Sequence, residues 1–418
     1  GAIERKERIA VHGDYDVDGI TATVILRRAI ELLGGEVVHY IPERLRDGYG
    51  LLPESIDRLR ERGAHVVVSV DCGIRGRPAA ERAKDVGIDL IITDHHEPEA
   101  ALPPALAVIN PRRHDCGYPD KDLAGVGVTL KVVQALCAKK DRMRWLPAFV
   151  KLAAIGTVAD VVPLRGENRV IARLGLERLS TGPHTVGLRT LIDASGLSGK
   201  RINSYEVAFV LAPRVNAAGR MGTADLAARL LLAADETMVD EAKSLAAQLD
   251  AENARRREEE AAIVTDARRR ITADPAIGAH NMLVVWGEGW HRGIIGIVAS
   301  KLAEQFCRPA LVLSVADGIA HGSGRSIPGF DLLAALERCA DLFERFGGHP
   351  GAAGVLMDAA RLDELRMRLV ADADERLSPE DLTPRLAIDA PLPLAAIDGT
   401  LVEALGALEP FGVGNRRP

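Results

Sequence analysis

Carboxylates and imidazoles at the ends of strand-like runs carry the chemistry open to this sequence. Asp14, Asp16 and Asp18 alternate through V-H-G-D-Y-D-V-D-G-I-T (11–21), directly after the apolar run I-A-V. Asp71 ends V-V-V-S-V-D (66–71), and Asp94, His95 and His96 follow D-L-I-I-T (89–93). Aspartates crowded at the end of a buried strand repel one another, and a divalent cation is the usual compensation. Taken alone, the first stretch also reads as a solvated acidic turn in which Asp18-Gly19 opens a helix. Matching clusters downstream favour the metal. A further acid, Asp160, sits in L-A-A-I-G-T-V-A-D-V-V-P-L (152–164), apolar around nearly its whole helical circumference. A buried carboxylate there needs a proton, an ion pair or a metal; a capping or salt-bridged aspartate before Pro163 is the other reading. Carboxylate plus imidazole suits Mn²⁺ or Mg²⁺ better than zinc, because no thiolate is placed to help (Cys72 faces away if Asp71 faces in). A divalent ion there would activate a bound water and steady charge on phosphoryl oxygens, which suits phosphodiester hydrolysis without a covalent enzyme intermediate. No Ser/His/Asp or Cys/His arrangement competes with it.

The elements that must gather these groups are legible as a pattern. Up to about residue 112, strand-like runs at 9–11, 37–41, 66–70, 89–93 and 107–110 alternate with helix patterns at about 20–33, 54–62 and 76–86. Strands buried on both faces and joined by helices make a parallel, doubly wound sheet. Ligands gather beyond the carboxyl ends of such strands, where three separate runs here end in carboxylate or imidazole. Residues 115–200 read as helices with Gly-rich joints that complete a first domain, 1–223. Within it P-R-V-N-A-A-G-R (213–220) reads as a compact loop holding Arg214, Asn216 and Arg220. Arginine forks suit phosphates, although Arg220 by itself reads better as an ordinary surface residue. Residues 224–272, with the solvated run R-R-R-E-E-E (255–260), read as a long helical stretch, broken only weakly, that connects the domains. A second, smaller α/β domain spans 273–380, with strands at 282–286 and 310–314 and helices at 292–306 and 331–346. G-H-P-G-A-A-G (348–354) is too glycine-rich for a regular element, so backbone can approach a ligand there.

Composition narrows the class. The 418 residues are 47% hydrophobic but only 4% aromatic, as expected of an α/β protein with real cores. No apolar stretch reaches membrane-span length and no signal-type run opens the chain. Five scattered cysteines without a C-x-x-C pair point to a reducing cytoplasm, not to a disulfide framework or a zinc knuckle. A net charge of −6 argues against a protein coated in nucleic acid, yet allows a locally basic, metal-loaded cleft. The chain begins without Met and stops after E-P-F-G-V-G-N-R-R-P, so both ends read as cut.

The motifs D-Y-D-V-D-G-I-T-A (14–22), V-D-C-G-I (70–74), T-D-H-H (93–96) and A-D-V-V-P-L (159–164) resemble those of the DHH phosphoesterase superfamily. P-R-V-N-A-A-G-R (213–220), G-W-H-R-G-I-I-G (289–296), G-S-G-R-S (322–326) and F-G-G-H-P-G-A-A-G (346–354) resemble its single-strand-specific exonuclease branch. Together they run over nearly the whole chain. The resemblance implies one metal held by His12, Asp16 and Asp71 and another held by Asp18, Asp71, His95 and Asp160, with Asp71 bridging. His12 reads equally as a strand histidine hydrogen-bonded to Asp14 or to backbone. Asp14 would orient a ligand from behind, and His96 would bond a non-bridging phosphate oxygen. The 213–220 segment would line the nucleic-acid path. A DHH-associated domain would bring Ser323, Arg325, Gly348 and His349 to a phosphate, with His291 facing the same groove. Arg44 would grip a terminal phosphate, and 381–418 would be the truncated start of an OB-fold. The activity implied is a Mn²⁺- or Mg²⁺-dependent 5′-to-3′ exonuclease releasing mononucleotides from single-stranded DNA in recombination and repair. It would act as a monomer beside a single-strand-binding protein and a helicase. Two other readings stand: a small-substrate phosphoesterase cleaving short RNA, phosphoadenosine phosphate or cyclic dinucleotides, and a catalytically silent replication scaffold. Length and the start of a third domain speak against the first, and the full set of acids and His95 against the second.

Overall fold

A computed structural model describes residues 1–43, 46–48, 50–221 and 224–418. The chain divides into two compact units, Gly1–Asn253 with Asp389–Pro418, and Ala254–Ile388.

The first unit opens with β1 (Ile9–His12), α1 (Val17–Leu32), β2 (Val37–Tyr40), α2 (Pro53–Glu61), β3 (Val66–Val70), α3 (Arg77–Asp85), β4 (Asp89–Thr93) and β5 (Ala107–Ile109). All neighbouring strands are parallel, in the order β2-β1-β3-β4-β5. The side-chain period of two explains the burial on both faces. Ile9, Val11, Val66, Val68 and Val70 point into a core shared with α1. Ala10, Val67, Leu90 and Ile92 point the other way, onto Ile56 and Leu59 of α2 and Ala79, Ala80 and Ala83 of α3. The chain leaves β1 for β2 on one side and reaches β3 on the other, so the crevice for a ligand opens between the ends of β1 and β3. Asp14, Asp16 and Asp18 follow the first of these strands and Asp71 the second.

Helices α4 (Gly125–Lys139), α5 (Leu146–Ala159), α6 (Gly166–Thr181) and α7 (Val186–Ala194) complete this core. Next comes α8 (Ser204–Glu206), a π-turn over Val207–Leu211, and α9 (Ala212–Met221). The compact loop expected at 213–220 is therefore a helix. Pro213 has no N–H to give the preceding turn, and the wider π-turn just before it absorbs that loss. The helix-forming Ala, Arg and Met residues beyond then carry the helix on.

The helical stretch expected over 224–272, with a weak break, holds two helices. Helix α10 (Asp225–Leu232) ends before Ala233, and α11 (Val239–Ala273) starts after a short 3₁₀ turn. Leu230, Leu231, Leu245 and Leu249 lie in the first core, so the unit boundary falls inside α11 rather than at 223. Among the described residues 381–418, expected as the truncated start of an OB-fold, hold a short 3₁₀ turn, α16 (Gly399–Gly406) and a bridge between Gly412 and Asn415. This segment packs on the first unit: Leu164 N–H donates to Val413 O at 2.7 Å and Ser204 Oγ to Phe411 O at 2.6 Å.

The second unit holds α12 (Pro275–Gly278), β6 (Leu283–Glu288), α13 (Ile295–Phe306), β7 (Ala310–Ala316), β8 (Ile319–Arg325), α14 (Leu332–Glu337), β9 (Arg345–His349), β10 (Ala352–Asp358) and α15 (Leu362–Arg376). Its sheet is mixed, in the order β6-β7-β8-β10-β9, parallel only between β6 and β7 where α13 makes the crossover. The helix expected at 331–346 stops at Glu337, and the glycine-rich 346–354 stretch is a β-hairpin turning at Pro350-Gly351. Glycines masked the alternation there. Gly348 needs its missing side chain, since a Cβ would sit 2.3 Å from Ala352 O at φ +154°.

Candidate metal centre

The three sheet ends and the end of α5 converge. Ligand atoms of Asp14, Asp16 and Asp71 lie within 4.8 Å of one another, as do those of Asp18, His95 and Asp160, and those of Asp71, His95 and His96. Asp71 and His95 each belong to two of these groups. His95 Nε2 stands 3.2 Å from Asp71 Oδ1, 3.6 Å from Asp160 Oδ2 and 3.9 Å from Asp18 Oδ2. Yet His95 Nε2, Asp71 Oδ1 and Asp160 Oδ2 are all buried and make no hydrogen bond among the described residues. Buried polar atoms that converge without pairing are costly unless something bonds them together, and a hard divalent cation fits this carboxylate-rich donor set.

Local structure explains how each group arrives. Asp16 caps α1, its Oδ1 accepting from Gly19 N–H at 3.0 Å. Asp18, in the first turn, takes the two opening N–H groups of α4: Gly125 to Oδ2 and Val126 to Oδ1, both at 2.7 Å. Asp71 turns out of β3 at φ +60°, a region that a residue with a side chain rarely enters. Asp160 is the C-cap of α5, where the helix dipole already disfavours an anion. Val161 follows at φ +62°, a second strained residue beside the same cluster.

Burial, then the charges of Asp18 and Asp16, raise Asp71 well above the usual carboxylate range. Asp160 is raised by burial and then by Asp18. Burial and then Asp16 push Asp18 up to about 7, against the two backbone bonds from α4. A cation would relieve all three. His95 is lowered to about 4 by burial and then by His96, so its ring is neutral near pH 7 and can act as a ligand.

His12 stands apart from these groups. Its ring is fully buried in β1, with Nδ1 3.5 Å from Cys72 Sγ and an Nε2 that makes no hydrogen bond among the described residues. Asp14, expected behind the ligands, has a carboxylate oxygen grouped with those of Asp16 and Asp71. Cys72 does not face away into a remote core, since its sulfur lies against His12. Asp94, to which the sequence reading gives no role, organises the D-H-H turn. Its carboxylate accepts from Ile74 N–H at 2.9 Å, His95 N–H at 2.7 Å, His96 N–H at 3.1 Å and the His96 ring Nδ1 at 2.8 Å. Burial disfavours a charged His96 ring, but the Asp94 bond and nearby acids outweigh it and raise the pKa.

Backbone approach also shapes the centre. A Cβ on Gly125 would lie 2.4 Å from Asp71 Oδ1. Gly125→Ala is expected to displace that carboxylate and weaken Mn²⁺ binding by about 10-fold or more. Calorimetric titration checks this, and an unchanged affinity would mean that Asp71 has room to move.

Among the other expected site residues, Arg44 lies outside the described residues. Arg214 is held by Asp250 Oδ1 at 2.9 Å and Val210 O at 2.8 Å, and Asn216 Oδ1 accepts from Val17 N–H at 3.1 Å. Arg220 sits near the end of α9. In the second unit Arg325 and His349 both pair in register with Ala352, so with Ser323 they share one face of the sheet. A Cβ on Gly296, in the first turn of α13, would lie 3.0 Å from Ser323 Oγ and 3.4 Å from Arg325 Nη2. His291, just before that helix, accepts from Gly293 N–H at 3.1 Å. Gly348 neighbours His349 on β9.

Residues 8–157 match the DHH family N-terminal domain and residues 279–375 match the DHHA1 domain. The chain is 41% identical to the single-stranded-DNA-specific exonuclease RecJ of Bacillus subtilis over all of its own length and 52% of that protein. It is 36% identical to the protein of the same name in Salmonella typhimurium, over 98% of the chain and 74% of that protein. The crystal structure of RecJ in complex with Mn²⁺ from Thermus thermophilus superposes with a TM-score of 0.86 at 36% identity, covering 100% of this chain and 59% of the other. The chain thus spans about half the length of the first of these relatives.

Proposed function

The chain belongs to the family of RecJ, the single-stranded-DNA-specific exonucleases, and on that premise we propose that it hydrolyses single-stranded DNA from the 5′ end in a reaction that needs two Mn²⁺ or Mg²⁺ ions. The observation that supports this best is the convergence of His95 Nε2, Asp71 Oδ1 and Asp160 Oδ2, all buried and unbonded, at the crevice beside β1 and β3. Asp14, Asp16 and Asp71 would hold one ion and Asp18, His95 and Asp160 the other, the two sets being linked by the third grouping of Asp71 with His95 and His96. Ions bound there supply an activated water and neutralise charge on the phosphoryl oxygens.

The chain's own groups do the rest. His96, fixed through Nδ1 by Asp94 and with a raised pKa, donates to a phosphate oxygen as its charge grows. Neutral His95 keeps a lone pair for a ligand bond. Asp18 is held in place by two backbone N–H groups, so little reorganisation accompanies the reaction. In the second unit Ser323, Arg325 and His349 offer one face of donors to a phosphate, with His291 and Gly348 beside them. Arg44, Arg214 and Arg220 belong to the nucleic-acid path in this proposal. The protein works in the cytoplasm as a monomer, alongside a single-strand-binding protein and a helicase. Five free thiols fit such a compartment. Among the described residues no helix is long and apolar enough to cross a membrane.

Degradation of end-labelled single strands tests the proposal. With Mn²⁺, mononucleotides should appear first from the 5′ label, and EDTA should stop the reaction. Rapid turnover of a dinucleotide with the long strand left intact would favour the small-substrate reading.

A further inference from the structure

We infer that Asn216 is a positioning residue of the metal centre, gripping from behind the turn that carries Asp16 and Asp18, and not a contact to nucleic acid; this rests on the metal-centre reading above. Val17 opens α1, so its N–H has no acceptor within the helix. Asp16 serves Gly19. The Val17 N–H is taken by the Asn216 carboxamide at 3.1 Å, from 199 positions along the chain. Three residues further along α9, a Cβ on Gly219 would lie 2.4 Å from Tyr15 O. One face of α9 therefore presses on the peptide before Asp16 and bonds the peptide after it.

The rest of α9 is anchored for this task. Val215 and Ala218 lie in the first core. The π-turn at Val207–Leu211 adds a residue to the helical path, which rotates everything after it by about 100°. Without that residue Asn216 would not face α1. The side-chain type fits too. Asp14, Asp16 and Asp71 already crowd together. A further carboxylate would add to their repulsion, and an ammonium or guanidinium would compete with a metal for Asp16. A neutral carboxamide accepts the N–H and does neither.

Three measurements on the same protein test the inference. Asn216→Leu keeps the volume and removes the acceptor. It should raise the Mn²⁺ dissociation constant about 10-fold, read from the spin-resonance signal of free Mn²⁺ without DNA, and leave metal-free affinity for a single strand within about twofold. Amide exchange in the peptide 14–22 should quicken. Unchanged Mn²⁺ affinity with weakened strand binding would overturn the inference and return Asn216 to the nucleic-acid path. Should Asn216→Leu lose its cooperative melt, Asn216→Asp carries the test. It retains an acceptor oxygen and, with Mn²⁺ bound to offset its added charge, should keep the slow exchange of 14–22; fast exchange in the Mn²⁺-bound variant would overturn the inference. If the parent protein binds no Mn²⁺ at all, the metal-centre reading itself falls, and this one with it.

Discussion

Asp71→Asn is expected to slow hydrolysis of single-stranded DNA by about 10³-fold or more while raising the melting temperature of the metal-free protein. The substitution keeps shape and removes charge. Asp71 belongs to one proposed ion site and lies 3.2 Å from His95 of the other, so its loss removes a ligand from the first and disturbs the second. Metals at such a centre supply several kcal/mol of transition-state stabilisation, and about 4 kcal/mol corresponds to about 10³-fold. Stability moves the other way. A fully buried carboxylate facing Asp18, Asp16 and Asp160 is held in place against desolvation and repulsion. An amide there removes that penalty when no cation is bound. Cleavage rates at saturating Mn²⁺ and thermal melts in EDTA read the two effects separately. A rate within about tenfold of the parent would take Asp71 out of the reaction. A lower metal-free melting temperature would mean that its carboxylate is compensated by the protein itself.

The metal-free protein should lose stability as pH rises from about 6.5 to about 8, and Mn²⁺ should remove or reverse that trend. Asp18 moves from 3.8 to about 7 on folding, so within that interval the folded state keeps a proton the unfolded chain has released. Its contribution is complete below 3.8 and gone once the pH has passed about 7. Asp71 and Asp160 are raised in the same sense. His12 and His95 act in the opposite sense, falling from 6.5 to about 4, so between those values the unfolded chain takes up protons that the folded state refuses. Stability from the histidines therefore grows with pH up to about 6.5 and partly cancels the carboxylates. Above it the contribution of His96, whose pKa is raised against burial by its bond to Asp94, falls with rising pH in the same sense as that of the carboxylates. Metal ligands must be deprotonated, so Mn²⁺ affinity grows with pH, and ligand at about 100 times its dissociation constant adds about 2.7 kcal/mol. Calorimetric melts in EDTA and in Mn²⁺ across this range measure both curves. A metal-free melting temperature that climbs above pH 6.5 would contradict the buried, mutually repelling acids.

The sequence by itself determined the parallel sheet, because strands buried on both faces must be apolar throughout and glycines mark where their helices stop. Runs such as V-V-V-S-V leave no other reading, and the order of strand and helix then makes the sheet doubly wound. It also placed acids and imidazoles at strand ends, since a carboxylate directly after an apolar run has only the rim of the sheet to occupy. Pattern failed where one residue type served two purposes. Pro213 suggested a loop until a π-turn accommodated it, and the glycines of 346–354 concealed a hairpin.

Only the tertiary structure decided which acids meet. Spacing cannot say that Asp14 joins Asp16 and Asp71 while His12 turns toward Cys72, because both follow from the path of the chain after β1. Nor can it show that the N–H groups of Gly125 and Val126 hold Asp18, or that Asn216 bonds Val17. Those partners are backbone groups, which every residue carries, and they become specific only when two distant helices end at the same place. Strain at Asp71 and Val161 is of the same kind: a left-handed backbone is imposed by the surrounding packing and leaves no mark on residue type.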